Sequence, residues 1–165
     1  MNYNLKKPIC QMEQSKRSGL FARLSEIAYA DKKEATAFAK AIGFSKTQFF
    51  DVDGAQAYVF SNADDCVVAC RGTQPTEFND IKADLNLFMV DAELGGKVHK
   101  GFQKEVDDLW PTMQPAILKL GAKKTYKVDI WFCGHSLGAA MATIVASRCY
   151  EDPKCSNPQE LYTYG

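Results

Sequence analysis

Residues 128–147 read Val128-Asp129-Ile130-Trp131-Phe132-Cys133-Gly134-His135-Ser136-Leu137-Gly138-Ala139-Ala140-Met141-Ala142-Thr143-Ile144-Val145-Ala146-Ser147. Val128–Cys133 is a short apolar run closed by glycine, which predicts a buried strand, and Leu137–Tyr150 is an alanine-rich helix. Between them stands Gly134-His135-Ser136-Leu137-Gly138, a GxSxG pattern. Glycine and serine are common enough that chance places this pattern in roughly one chain of twenty of this length. The strand before it and the helix after it supply what chance does not, the strand–turn–helix setting of a nucleophile elbow. There the serine sits on a sharp, strained turn, and side chains at Gly134 or Gly138 would collide with the strand and helix. Ala139 and Ala140 keep that helix close. The turn lifts the Ser136 hydroxyl clear of the sheet, over a helix N-terminus that favours developing negative charge. The plain alternative is a glycine-rich turn without chemistry.

Working outward, acyl transfer at Ser136 needs donors for an oxyanion. The backbone N–H after the nucleophile, Leu137, is one, and the loop after an earlier strand supplies the other. Cys66-Val67-Val68-Ala69-Cys70 is a continuous apolar run, as expected of a strand covered on both faces. Arg71-Gly72-Thr73 ends it, which makes Thr73 the second candidate, with a simple strand-ending turn as the alternative. Upstream, residues 1–17 are polar and read as a loose arm. Leu20, Phe21, Leu24, Ile27 and Ala28 repeat at helical spacing from Ser18 on. Asp31 is placed to cap a second helix, KKEATAFAKAI, which Gly43 ends. Phe49–Val52, Asp53-Gly54 and Ala57–Phe60 read as a hairpin. Downstream of Thr73, residues 74–84 are mostly polar with Phe78 and Ile81 three apart, and Leu85–Val90 reads as a strand. A helix is expected from Phe102 to Leu120, kinked or split by Pro111 and Pro115, and Leu161–Tyr164 opens another strand. Alternating strands and helices in the second half predict an α/β fold with a mostly parallel sheet flanked by helices.

The 165 residues hold 20 Lys+Arg against 20 Asp+Glu, and 46% are hydrophobic. Balanced charge gives no reason to invoke nucleic acid, and no run approaches the ~20 apolar residues of a transmembrane segment. Of six cysteines, Cys66 and Cys70 share one strand face about 13 Å apart, too far to bond. The others read as small buried thiols of a reducing compartment, with Cys149 and Cys155 the one local pair left open. Without CxxC or a His/Cys cluster, no metal or cofactor is expected.

ACRGTQPTEFNDIKADL (69–85), KVHKGF (97–102), WFCGHSLGAA (131–140) and ELYTYG (160–165) resemble, in order and spacing, successive motifs of the fungal-type, class 3 triacylglycerol lipase family. The resemblance covers roughly residues 66–165. It implies an α/β-hydrolase that cleaves acylglycerols without a cofactor, with Ser136 on the family's nucleophile, Thr73 on its oxyanion residue and Leu137 on the second donor. Residues 74–84 fall where the family carries a lid, so that Phe78 and Ile81 would cover an apolar acyl groove and, opened, meet a lipid–water interface. A solvated loop anchored by those two side chains is the competing view.

Serine is a poor nucleophile without a base, and the chain has two histidines. His135 adjoins Ser136 and is expected to point away from the hydroxyl. His99 matches a family motif other than the catalytic histidine. Glu151, Asp152 and Glu160 precede the next strand, whereas the family's acid follows it. Residues 1–165 are therefore expected to form the N-terminal part of one α/β-hydrolase domain, whose remainder, carrying acid and base, lies beyond 165 or in another chain. A triacylglycerol lipase leads the readings, then a phospholipase A1 or short-chain carboxylesterase. A non-catalytic, hydrolase-like binding module is the alternative of another class. The cysteines and the lack of an apolar leader favour the cytoplasm, against secretion with a leader removed.

Overall fold

The computed structural model describes residues 3–72, 88–93, 95–121, 128–155 and 157–165. Its elements run α1 (Gln14–Ile27), α2 (Lys32–Ile42), β1 (Lys46–Val52), β2 (Ala55–Ser61), β3 (Asp65–Arg71), β4 (Met89–Asp91), β5 (Lys97–His99), α3 (Lys100–Gly121), β6 (Asp129–His135), α4 (Leu137–Glu151) and β7 (Asn157–Tyr164).

Five strands form one sheet in the order β1-β2-β3-β6-β7. β3, β6 and β7 pair in parallel, while β1/β2 and β2/β3 are antiparallel. Only β2 among the five thus runs against the common direction. The tight hairpin is made by Asp53 at φ 50° and Gly54 at φ 88°, the left-handed pair that matches strand twist.

Alternation along the strands sends side chains into two cores. Cys66, Val68, Cys70, Ile130 and Phe132 face α3 and α4 with Val106, Leu109, Met141 and Val145. Val67, Ala69, Trp131 and Cys133 face α1 and α2 with Leu20, Phe21, Leu24 and Ala35. The result is a helix–sheet–helix sandwich, the expected α/β-hydrolase architecture. Phe21 lies against Trp131 at 5.6 Å and Tyr162 at 4.4 Å between ring centroids. Burying one such side chain contributes on the order of 2–3 kcal/mol.

α2 begins at Asp31, whose carboxylate accepts the Glu34 N–H at 2.8 Å, and ends at Gly43 with φ 115°. Both limits are those the sequence predicts. Three expectations are corrected. The segment before Ser18 is no loose arm over its described length: α1 starts at Gln14, Ile9–Gln11 forms a 3-10 turn, and Ile9 is fully buried. The Ile9 N–H bonds the Asp65 carboxylate at 3.1 Å, which pins the arm to β3. The proline-containing helix is one element, Lys100–Gly121, not two. Pro111 and Pro115 both lie on its exposed side, where a carbonyl left without its helical donor costs least because solvent can reach it. In the stretch read as a strand over Leu85–Val90, the described strand is Met89–Asp91; it leaves the main sheet and pairs with β5 across a turn at Gly95-Gly96.

Candidate active site

Ser136 stands between the last residue of β6 and the first of α4, at φ 56° and ψ −126°. For a non-glycine residue this is a strained conformation, of order 1–3 kcal/mol, held only where the surroundings over-determine it. The surroundings here are backbone. The Ser136 N–H donates to the Tyr164 carbonyl at 2.8 Å, and its own carbonyl accepts from the Ala139 N–H at 2.9 Å. A Cβ on Gly134 would stand 2.2 Å from the Gly138 carbonyl oxygen. One on Gly138 would stand 2.4 Å from the Cys70 carbonyl oxygen. Both distances are far inside van der Waals contact, so the two glycines of the pattern are demanded by close approach of backbone to backbone.

The same approach places the end of β3 beside the elbow. A Cβ on Gly72 would come within 2.7 Å of the Tyr29 hydroxyl, 2.9 Å of the Gly138 nitrogen and 3.0 Å of the His135 carbonyl. Gly72, Ser136 and Tyr164 therefore gather at the C-terminal ends of three parallel strands, where open α/β sheets bind ligands. The Leu137 N–H belongs to the first turn of α4, and the leading N–H groups of a helix, without partners inside it, favour negative charge at that end. Thr73 and the lid candidates Phe78 and Ile81 lie outside the described residues.

Sequence reasoning missed Tyr29. It sits just past α1, with its hydroxyl 3.3 Å from both His135 Nδ1 and the His135 carbonyl oxygen. The Gly72 backbone stands beside the same hydroxyl, which lies 2.7 Å from where a Cβ on Gly72 would be. Burial pushes the phenol above its ordinary value, against the pull of the nearby Gly72 N–H and of Arg71, so it stays protonated. The Arg71 guanidinium lies 5.8 Å from the centre of the Tyr29 ring and bonds Gln56. Tyr29 thereby ties the exit of β3 to the elbow. A tyrosine at the end of an amphipathic helix carries no sign of this, because its partners lie 43 and 106 residues away.

The remaining polar candidates are placed elsewhere. The described contacts of the His135 ring are with Tyr29, as expected of a structural histidine. His99 accepts the Gly101 N–H at 3.2 Å on Nδ1 and packs on Phe102. Asp152 holds Gln114 and the Lys154 N–H, and Glu160 pairs with Arg17 at 3.0 Å. Glu151 ends α4, about 20 Å from the elbow at 1.5 Å per residue. Among the described residues no group of three or more His, Cys, Asp or Glu is arranged to hold a metal, and no helix is long and apolar enough to cross a membrane.

The model of the family described as Lipase (class 3) matches residues 67–165. The fold is similar to that of the triacylglyceride lipase of Rhizomucor miehei, at 22% identity and a TM-score of 0.70, over 92% of this chain and 62% of that one. A lipase from Rhizopus microsporus var. chinensis aligns at 24% identity and a TM-score of 0.68, over 91% of this chain and 56% of that one. A triacylglycerol lipase whose catalytic centre is a serine protease triad aligns at 21% identity and a TM-score of 0.60, over 83% and 55%. This chain thus spans about three-fifths of the length of these relatives. No curated protein sequence matches it.

Proposed function

This chain belongs to the class 3 lipase family, and we propose that it carries the nucleophile of a serine ester hydrolase that cleaves triacylglycerols at a lipid–water interface. The observation that carries this reading is the strained Ser136 at the head of α4, with the end of β3 pressed against Gly138. Ser136 attacks the ester carbonyl, an acyl-enzyme forms and the alcohol leaves; water then releases the fatty acid. The oxyanion of each tetrahedral intermediate takes the Leu137 N–H and Thr73, the residue that follows Gly72 in sequence. One such donor is typically worth ~3–4 kcal/mol. Phe78 and Ile81 serve as the apolar side of a lid, and no cofactor takes part. The acid and base come from the remainder of the hydrolase domain, within this protein or from a second chain.

A fluorophosphonate tests the reading. Ser136 in the protein with its acid and base in place is expected to be labelled, and the Ser136→Ala variant is not. An unlabelled Ser136 there would support the hydrolase-like binding module instead. Rates on esters of increasing acyl length then separate a triacylglycerol lipase from a short-chain carboxylesterase, and release of fatty acid from a diacyl phospholipid marks a phospholipase A1.

A further inference from the structure

The strand that holds the strained nucleophile is itself held from α1. Ser136 keeps φ 56° and ψ −126° while its N–H donates to the Tyr164 carbonyl at 2.8 Å. Tyr164 stands opposite His135 in the parallel pairing of β6 with β7. Among the described strands β7 pairs with β6 alone, and the register of that pair shifts between Ile130 and Phe132. Strand pairing with β6 is thus one constraint on the end of β7, and an irregular one.

α1 supplies the other. Glu160, Tyr162 and Tyr164 alternate onto the face of β7 that meets this helix. Arg17 Nε donates to the Tyr162 hydroxyl at 2.8 Å, and Arg17 Nη2 donates to the Glu160 carboxylate at 3.0 Å. Phe21 stacks on the Tyr162 ring. Beside the elbow, the Tyr164 hydroxyl donates to the Ser18 carbonyl at 2.6 Å. Ser18 lies within α1, whose backbone is fixed by its own hydrogen bonds. Tyr164 therefore grips a rigid helix with its side chain and the nucleophile with its main chain.

We propose that Tyr164 is a positioning residue for the nucleophile: its hydroxyl, moored on the Ser18 carbonyl, fixes the carbonyl that holds the Ser136 N–H and so keeps Ser136 in its strained backbone. The proposal rests on the reading of Ser136 as nucleophile. A strained conformation persists only while its surroundings over-determine it. With the mooring gone, the end of β7 gains freedom, Ser136 relaxes toward an unstrained φ, and its hydroxyl leaves the line of attack. Tyr29 braces the carbonyl of the residue before Ser136, whereas Tyr164 acts on Ser136 itself. The role is in the chemical step, so the affinity for substrate is unchanged while the rate of attack falls.

The experiment is fluorophosphonate labelling of Ser136 in the protein with its acid and base in place, resolved into the maximal labelling rate and the concentration that gives half of it. Tyr164→Phe keeps the ring and the carbonyl and removes the hydroxyl. Gly43→Ala strains the far end of α2 and controls for lost stability alone. Wild type and both variants are compared at a temperature where circular dichroism shows each folded. The maximal rate is expected to fall roughly three- to tenfold in Tyr164→Phe, about what one hydrogen bond is worth, with the half-maximal concentration unchanged. Gly43→Ala is expected to label as wild type does. A Tyr164→Phe protein that labels at the wild-type rate would overturn the proposal, as would a loss matched by Gly43→Ala or one confined to the half-maximal concentration. A wild-type protein that does not label at all would instead remove Ser136 as the nucleophile, and this role with it.

Discussion

Gly72 and Gly138, 66 positions apart, meet backbone to backbone: a Cβ on Gly138 would stand 2.7 Å from the Gly72 nitrogen, and one on Gly72 would stand 2.9 Å from the Gly138 nitrogen. Neither neighbour is a flexible side chain, so neither can swing away. Gly138→Ala must therefore part β3 from the elbow. The expected cost is about 3 kcal/mol or more, in the range of severe overpacking, read as a lowered urea midpoint. An unchanged midpoint would mean that the end of β3 and the first turn of α4 are not held together.

Tyr29→Phe keeps the ring and removes the hydroxyl. The His135 carbonyl then loses the hydroxyl donor at 3.3 Å. A loss of about 1–2 kcal/mol in stability is expected. In the protein with its acid and base in place, kcat is expected to fall more than KM rises, because the lost hydroxyl braces the residue next to Ser136. A variant equal to wild type in both would remove Tyr29 from the site.

Asp65 is fully buried at the start of β3, bonded by the Ile9 N–H and by Trp131 Nε1 at 2.9 Å. Burial raises its carboxyl from 3.8 to about 6, with Asp129 and Asp64 adding to the rise and the two hydrogen bonds opposing it. The folded chain therefore holds a proton that the unfolded chain releases. This contribution is present in full below about pH 4 and is lost as pH rises through about 6. The amount is on the order of 3 kcal/mol. Asp65→Asn is expected to flatten the stability profile between those two values. Denaturant melts across pH, followed by tryptophan fluorescence, measure it; an Asn variant with the wild-type slope would point to another group.

At α2, Asp31→Ala removes the acceptor for the Glu34 N–H and is expected to cost about 1 kcal/mol. Gly43→Ala is expected to cost at least as much, since φ 115° is a backbone that an L side chain resists and a Cβ would meet Leu5 at 3.1 Å. Thermal melts of the two variants test this, and a melting temperature that does not move in Asp31→Ala would count against the cap.

Much of this molecule is local chemistry, and the sequence determined it. The caps of α2 are one residue type each at a helix end, and Asp53-Gly54 closes a hairpin because those residues tolerate positive φ. The elbow is legible for the same reason: glycine, serine and glycine at fixed spacing between an apolar run and a helix describe a single turn of chain. What depends on partners distant in sequence was not legible. Ile9 looks like part of a polar arm until Asp65 is seen to receive its N–H, 56 residues on. Pro111 and Pro115 argue for a break until the packing shows both on the solvent side of a helix whose other face is buried. Tyr29 reads as a helix end until the fold lays its hydroxyl between Gly72 and His135. Local patterns fix backbone conformation, because that is set by neighbours along the chain. Tertiary structure alone decides which distant groups share a buried contact, because sequence separation does not encode distance in space.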